Sequence, residues 1–422
     1  MHLLIKNTTI ISPGDEFNGQ TRDILLKDGG IAAIDTPNQV SAENIETIDG
    51  TGTYTTPGFM DLRAHFADPG LEQREDLNSG VKAAAAGGFT GVALLPSTNP
   101  PVHSKSEVEY IINKVKDWVT DVYPMGCITH NREGKDLAEM FDMHSAGAVA
   151  FTDGNKPVKD SGLMHRAMLY AKGFNGLLCV HAEDTYLTAG GQMHEGPVST
   201  HLGMKGMPNL SEYLAVKRDI ELARYNNTRL HFSHVSAAES VELIRSAKSE
   251  GLQITADAAI ANLVWDDSTL EHYDTNYKVN PPLRNKTDIE ALLKGLEDGT
   301  IDAICSDHIP QEIENKAVEF DYAAFGMIGL QTFLPLLIRL SDRLGWEKLV
   351  NATCNNPRKI LGLATPGIKA GREANITVFN PTAKWMFNRQ ANFSKSVNSP
   401  LFNTELTGKV ILVANNNLAV QF

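Results

Sequence analysis

Between residues 57 and 365, short apolar runs with strand character alternate with longer segments of helical period, and this pattern restricts the fold more than any other feature of the chain. Eight such runs occur: Gly58–His65, Phe89–Leu95, Val122–Ile128, Ala146–Thr152, Gly176–His181, Arg229–His234, Leu252–Ala256 and Ile301–Asp307. Helical patterns separate them, among them Glu75–Ala86, Glu107–Val119, Asp136–Ser145, Leu163–Ala171, Tyr213–Tyr225, Ala238–Glu250 and Lys286–Leu296. Strand–helix alternation on this scale is the mark of parallel βα units. Eight of them in 309 residues predict a (β/α)8 barrel of the TIM type.

The two ends of the chain read differently. Residues 1–56 hold short strands (His2–Ile11, Asp23–Lys27, Ile31–Asp35, Glu46–Asp49) separated by Asn, Gly and Asp turns. They carry too little apolar surface to fold alone. Similar material, Asn375–Asn380, Glu405–Thr407 and Lys409–Ala414, closes the chain. The expectation is one small β domain, a β-sandwich, made jointly from residues 1–56 and 366–422, beside a barrel over residues 57–365.

Several predicted strands end in a polar residue that packing alone does not require: His65, Asp153, His181, His234 and Asp307. Active sites of such barrels lie at the C-terminal strand ends. Neutral imidazoles and carboxylates converging there are the donors a hydrolytic metal needs. A net charge of −13 argues against a nucleic-acid partner and against an anionic membrane surface. The N-terminal Met-His-Leu-Leu-Ile-Lys lacks a signal-type apolar region, and no run approaches 18 apolar residues. The four cysteines, Cys127, Cys179, Cys305 and Cys354, lack metal-type spacing and read as buried thiols of a cytoplasmic protein.

The motifs resemble those of the cyclic amidohydrolases, and of dihydroorotases most of all. The first strand, Asp61-Leu62-Arg63-Ala64-His65-Phe66-Ala67-Asp68-Pro69-Gly70, stands where that family has His-x-His-x-Arg-Glu-Pro-Gly. Phe151-Thr152-Asp153-Gly154, Val180-His181-Ala182-Glu183, His231-Phe232-Ser233-His234 and Lys278-Val279-Asn280-Pro281-Pro282-Leu283-Arg284 resemble the family's strand-4, strand-5, strand-6 and loop signatures. The resemblance implies an amidohydrolase-type barrel and a role in pyrimidine biosynthesis. It also implies a two-metal zinc site, with His65, His181 and His234 as ligands and Asp307 as ligand and proton shuttle.

Two metal positions depart from the motif. Arg63 replaces the first histidine, and a guanidinium has no lone pair to give a metal. Gly154 stands where the bridging Asp belongs, with Asp153 as the nearest substitute. The substrate-carboxylate donors are replaced by Ala67, Ser97 and Gln311, while Asn280 and the Phe325-Gly326 loop remain as substrate-binding candidates. Zinc is therefore expected to be substoichiometric or absent. Arg63 is expected to take the metal's place by pairing with Asp307 or Asp153.

Two functional readings follow. In the first, the chain is a dihydroorotase relative with lost or reduced catalysis, kept as a structural or regulatory subunit. Some bacterial members of the family are of this kind and assemble with aspartate transcarbamoylase, so that enzyme and a second copy of the chain are the expected partners. In the second, the chain is an active dihydroorotase or related cyclic amidohydrolase with one metal held by His181 and His234, assisted by Asp153.

Three further features have plainer readings. The long loop Gly190–Gly206, with His194 and His201, reads as a surface or interface loop. His231 reads as a packing or hydrogen-bonding residue facing away from His234. Glu183 and Asp184 read as solvated acids at a helix start, with hydrogen-bonding partnership to His181 as the alternative.

Overall fold

The computed structural model describes residues 1–40 and 45–422. Strands are numbered along the chain. The N-terminal region supplies β1 (His2–Ile10), β2 (Thr21–Lys27), β3 (Gly30–Asp35), β4 (Glu46–Asp49) and β5 (Tyr54–Pro57). The central region follows with β6 (Phe59–Ala64), β7 (Phe89–Leu94), β8 (Asp121–Pro124) and β9 (Leu178–His181). A short parallel pair comes next, β10 (Met193–His194) and β11 (Gly206–Met207), and then β12 (Leu230–Ser233), β13 (Ile254–Ala259) and β14 (Ala303–Cys305). The chain ends with β15 (Ile376–Phe387), β16 (Thr404–Asn415) and β17 (Leu418–Gln421).

The central strands form two parallel arcs, β6-β7-β8 and β9-β12-β13-β14. Single parallel bridges complete the ring. Gly126 bridges Phe151, Phe151 bridges Leu178, and Ala64 bridges His308, the last with a His65 N to His308 O bond of 2.9 Å. The segment expected as the fourth strand, Ala146–Thr152, forms no extended strand but is bridged at Phe151 and bonded through Val149, Ala150 and Thr152 to Pro124 and Gly126. The architecture is a TIM-type barrel, its interior strand faces lined by Met60, Leu62, Ala93, Cys179, Ala259 and Ala303.

The helices pack outside the strands, and local sequence fixes where they start. The helix Leu77–Ala86 begins at Asp76, whose side chain accepts from Ser79 N in a reciprocal capping box. Gly80 in that helix lies against the Phe66 ring, and a Cβ there would fall 2.5 Å from the ring. The glycine therefore lets the helix approach the residue that follows His65.

Both ends of the chain build one eight-stranded sheet, in the order β17-β16-β15-β5-β1-β2-β3 with β4 on β1. The N- and C-terminal parts meet where β5 pairs antiparallel with β15, Pro57 opposite Ile376. Two strands are longer than their hydrophobic pattern suggests, because bulges after Val378 and Asn380 let β15 and β16 continue past the apolar stretch. Tyr54–Pro57 and Leu418–Gln421, absent from the sequence reading, are short partners completed by their neighbours. All four cysteines are buried and unpaired. Among the described residues no helix is long and apolar enough to cross a membrane.

Candidate active site and its rearranged mouth

The C-terminal ends of the strands bring Arg63, His65, His181, His234 and Asp307 into a common mouth. Arg63, on β6, is 1% exposed, and its Nε donates to Asp307 Oδ1 at 2.7 Å. Its Nη2 donates to the side-chain oxygen of Asn155. Burial pushes the Asp307 carboxyl above its ordinary range, and the Arg63 charge opposes that shift. A buried guanidinium that holds a carboxylate through Nε and a second acceptor through Nη2 is rigid and fully charged. The Asp307 backbone has φ 46°, a left-handed geometry that an aspartate tolerates better than most residues.

Asp153 does not reach Arg63. Its Oδ1 accepts from the backbone N–H groups of Ile128 and Thr129 at 2.9 and 3.0 Å, and its Oδ2 accepts from Thr129 Oγ1 at 2.5 Å. Adjacent strand residues face opposite sides, and Asp153 is spent on the neighbouring strand end. The next residue, Gly154, has φ 63°, and a Cβ added there would lie 2.5 Å from Ser97 Oγ and 3.2 Å from Arg132 Nη2. Ser97 and Arg132 thus occupy the place of the missing side chain. Arg132 is anchored by its Nε on Asp153 O at 2.9 Å.

On the opposite side the imidazoles bond to each other. His181 Nδ1 and His234 Nε2 are 2.9 Å apart, and His181 Nε2 lies 2.8 Å from Glu183 Oε2. Glu183 is held down to about 2 by its His181, Thr188 and Asn280 bonds, which outweigh the opposing effect of its burial. As an anion it accepts from His181 Nε2–H. In the neutral His181 tautomer, Nδ1 then accepts from His234 Nε2–H. His234 Nδ1 has no hydrogen-bond partner, and burial and the Arg63 charge push the His234 pKa well down. His65 sits apart, its Nε2 3.1 Å from Ser97 O, with burial lowering its pKa to about 4.

This donor set does not fit zinc. Both ring nitrogens of His181 are already engaged, Asp153 is turned away, residue 154 has no side chain, and a guanidinium holds Asp307. Among the described residues no group of three or more His, Cys, Asp or Glu side chains is arranged to hold a metal ion. Two free imidazole lone pairs, His234 Nδ1 and His65 Nδ1, fall short of the four ligands of a zinc site.

The substrate-binding candidates are also committed. Asn280 Nδ2 donates to Glu183 at 3.1 Å. Phe325 O accepts from Gln311 Nε2 at 2.8 Å, and Gly326 O accepts from Lys316 Nζ and Asn398 Nδ2, each at 3.1 Å. The loop is held in place by these bonds.

Several sequence readings change. Glu183 is not a solvated helix-start acid but the partner of His181. Its place two residues past His181, just beyond the end of β9, was the available signal, and partnership with His181 was the alternative reading. The Gly190–Gly206 loop is more ordered than expected, with β10 and β11 paired and His194 buried against Arg284 and Asn285. Arg132 and Asn155 were missed. Arg132 follows a turn in which Asn131 and Arg132 both have positive φ, and no periodicity marks such a residue.

Known structures share this architecture. The L-hydantoinase (dihydropyrimidinase) from Arthrobacter aurescens superposes with a TM-score of 0.86 at 25% identity, covering 100% of this chain and 96% of its own. A D-hydantoinase matches with a TM-score of 0.82, also at 25% identity, over 100% and 95%. The fold and the position of the mouth therefore define a cyclic amidohydrolase-type barrel. Within that class, the dihydro-orotase-like family model matches residues 52–240. Proteins named dihydroorotase from Geobacter sp. (strain M21) and Syntrophus aciditrophicus are each 41% identical, over 97% and 98% of this chain and 97% of each relative. The chain belongs to the dihydroorotase family.

Proposed function

We propose that this protein is a dihydroorotase-family member that has given up hydrolytic turnover and acts as a structural or regulatory subunit in pyrimidine biosynthesis. The observation that carries the reading is the buried Arg63–Asp307 pair, 2.7 Å between Nε and Oδ1. Arg63 supplies the positive charge that Asp307 needs in a desolvated mouth, where an unpaired carboxylate is costly. It supplies neither a Lewis acid nor an activated water, and Asp307 is not free to carry a proton. The losses at Ala67, Ser97 and Gln311 point the same way, because a carboxylate substrate needs charge-assisted donors.

Elemental analysis of protein purified without added metal, with a dihydroorotate hydrolysis assay, tests the reading. The expected result is less than one zinc per chain and turnover at background. Two tightly bound metals, or robust hydrolysis abolished by Asp307→Ala, would overturn it.

The competing reading is an active zinc-dependent dihydroorotase. It draws on the names of the relatives, and it requires His181 and His234 to exchange their mutual bond for a metal. One well-occupied zinc that is lost in His234→Ala would favour it. The proposed partner is aspartate transcarbamoylase, by analogy with the non-catalytic members of the family, alongside self-association. Co-purification of the two proteins, or altered transcarbamoylase activity on mixing, tests this. No interaction at micromolar concentrations would refute it.

A further inference from the structure

The loop that carries Phe325 and Gly326 is gripped by two buried lysines, Lys278 at 1% and Lys316 at 5% exposure. Lys278 Nζ donates to Phe320 O at 2.6 Å and to Asp321 O at 3.2 Å. Lys316 ends the short helix Ile313–Lys316, and its Nζ donates to Ala324 O at 2.8 Å and to Gly326 O at 3.1 Å. Two side chains thus tie down four carbonyls of one loop. That loop lies against the strand end that bears Asp307, since Ile309 N donates to Met327 O at 2.8 Å and His308 bridges Met327.

A neutral amine can make these bonds, whereas a buried ammonium without a counter-ion is costly. Among the described residues no carboxylate stands within ion-pair distance of either head. The charged groups that face them are Asp321 for Lys278, and Lys278 and Asp274 for Lys316. Burial pushes Lys278 down to about 8 against the pull of Asp321. Burial, reinforced by the Lys278 charge, pushes Lys316 down to about 7, with Asp274 opposing. The Phe320 and Phe325 rings, centred 5.0 and 4.9 Å from Lys278 Nζ, also favour the cation there. Lys316 is therefore the second of the two to take up a proton, and it does so beside an existing positive charge.

We infer that residues 318–326 form a proton-operated flap at the rim of the mouth, closed while Lys278 and Lys316 are neutral and released when both are charged. Opening brings the two heads into water, where a lysine returns to its ordinary value of 10.5. The closed flap then binds fewer protons than the open one. Closure is favoured as pH rises from about 7 toward 10.5 and weakens as pH falls through that window. The flap works in this way whether or not the mouth is catalytic.

Chymotrypsin digestion of the full chain tests it, with cleavage after Phe320, which is 5% exposed in the closed flap, followed by mass spectrometry. Rates are normalised to an unstructured peptide at each pH, and they follow the open population when opening is fast relative to cleavage. The normalised rate should be at least about tenfold higher at about pH 7 than at about pH 9.5. Lys316→Met and Lys316→Arg cannot change charge in this range, and each should cut that ratio at least about threefold. Loss of the two carbonyl bonds alone would shift both rates and leave the ratio as it was. The inference is overturned if the parent's normalised rate is flat or rises with pH, or if either variant, once folded, keeps the parent's ratio.

Discussion

The two halves of the barrel mouth have departed from a metal site in different ways. The half built on β6 and the Phe151–Gly154 strand end has changed its residue types. Arg63 and Gly154 stand where the family motifs carry His and Asp, and Ser97 and Arg132 fill the space the glycine leaves. The half built on β9 and β12 keeps its imidazoles, yet His181 and His234 bond to each other and to Glu183. Retaining ligand residues is therefore not the same as retaining a ligand set. The half that keeps its imidazoles ties them to each other and to Glu183, leaving His234 Nδ1 buried without a partner.

Substitutions that separate the halves sharpen this contrast. Arg63→Ala should have the largest effect, roughly 3–5 kcal/mol of destabilisation by denaturant unfolding, because it leaves Asp307 buried without its partner. The double variant with Asp307→Asn should recover part of that loss. A cost below about 1 kcal/mol for Arg63→Ala would mean that the pair does not organise the mouth.

Glu183→Gln probes the other half, with an expected cost of about 1.5–3 kcal/mol at neutral pH for one charge-assisted acceptor. The folded-state pKa of about 2 lies below the ordinary value of 4.5, so the folded protein binds fewer protons here than the unfolded chain. The carboxylate's contribution is thus fully present above about pH 4.5 and is lost as pH falls toward 2. The difference between parent and variant should shrink over that window, and a gap that stays constant down to pH 2 would contradict the assignment.

Arg132→Gln should cost less, about 0.5–1.5 kcal/mol, since it removes one bond to a backbone carbonyl. The smallest effect is expected from an attempt at repair. Arg63→His combined with Gly154→Asp restores the missing ligand types, but a Cβ at residue 154 meets Ser97 Oγ at 2.5 Å in a backbone with φ 63°. Zinc content should stay below one per chain by elemental analysis. Two zincs in that variant would show that the halves differ only in ligand identity.

The barrel was legible because its strands and helices repeat with clear periods, and boundaries mostly moved by a few residues. The fourth strand was the exception. Ala146–Thr152 looks like its neighbours in sequence, but it joins the ring through an irregular set of bonds at Val149–Thr152 rather than as a regular strand, and hydrogen-bond geometry at single residues is not written in a hydrophobic pattern. The replacements at Arg63 and Gly154 were equally legible, since each removes a chemical capability whatever its surroundings. The partners of the retained side chains were harder to read. Which acceptor Asn280 prefers, or that Asp153 turns to Thr129, depends on distances set by residues far apart in the chain.

The split sheet also has a consequence for synthesis. β5 forms one side of a seam whose other side, β15, begins at Ile376, more than 300 residues later. A nascent chain therefore carries an open edge from its first strands until nearly all of the barrel has left the ribosome. Unpaired edges of that kind template intermolecular pairing. Shortening the chain at its C-terminal end should thus show itself first as aggregation, before any change in the barrel.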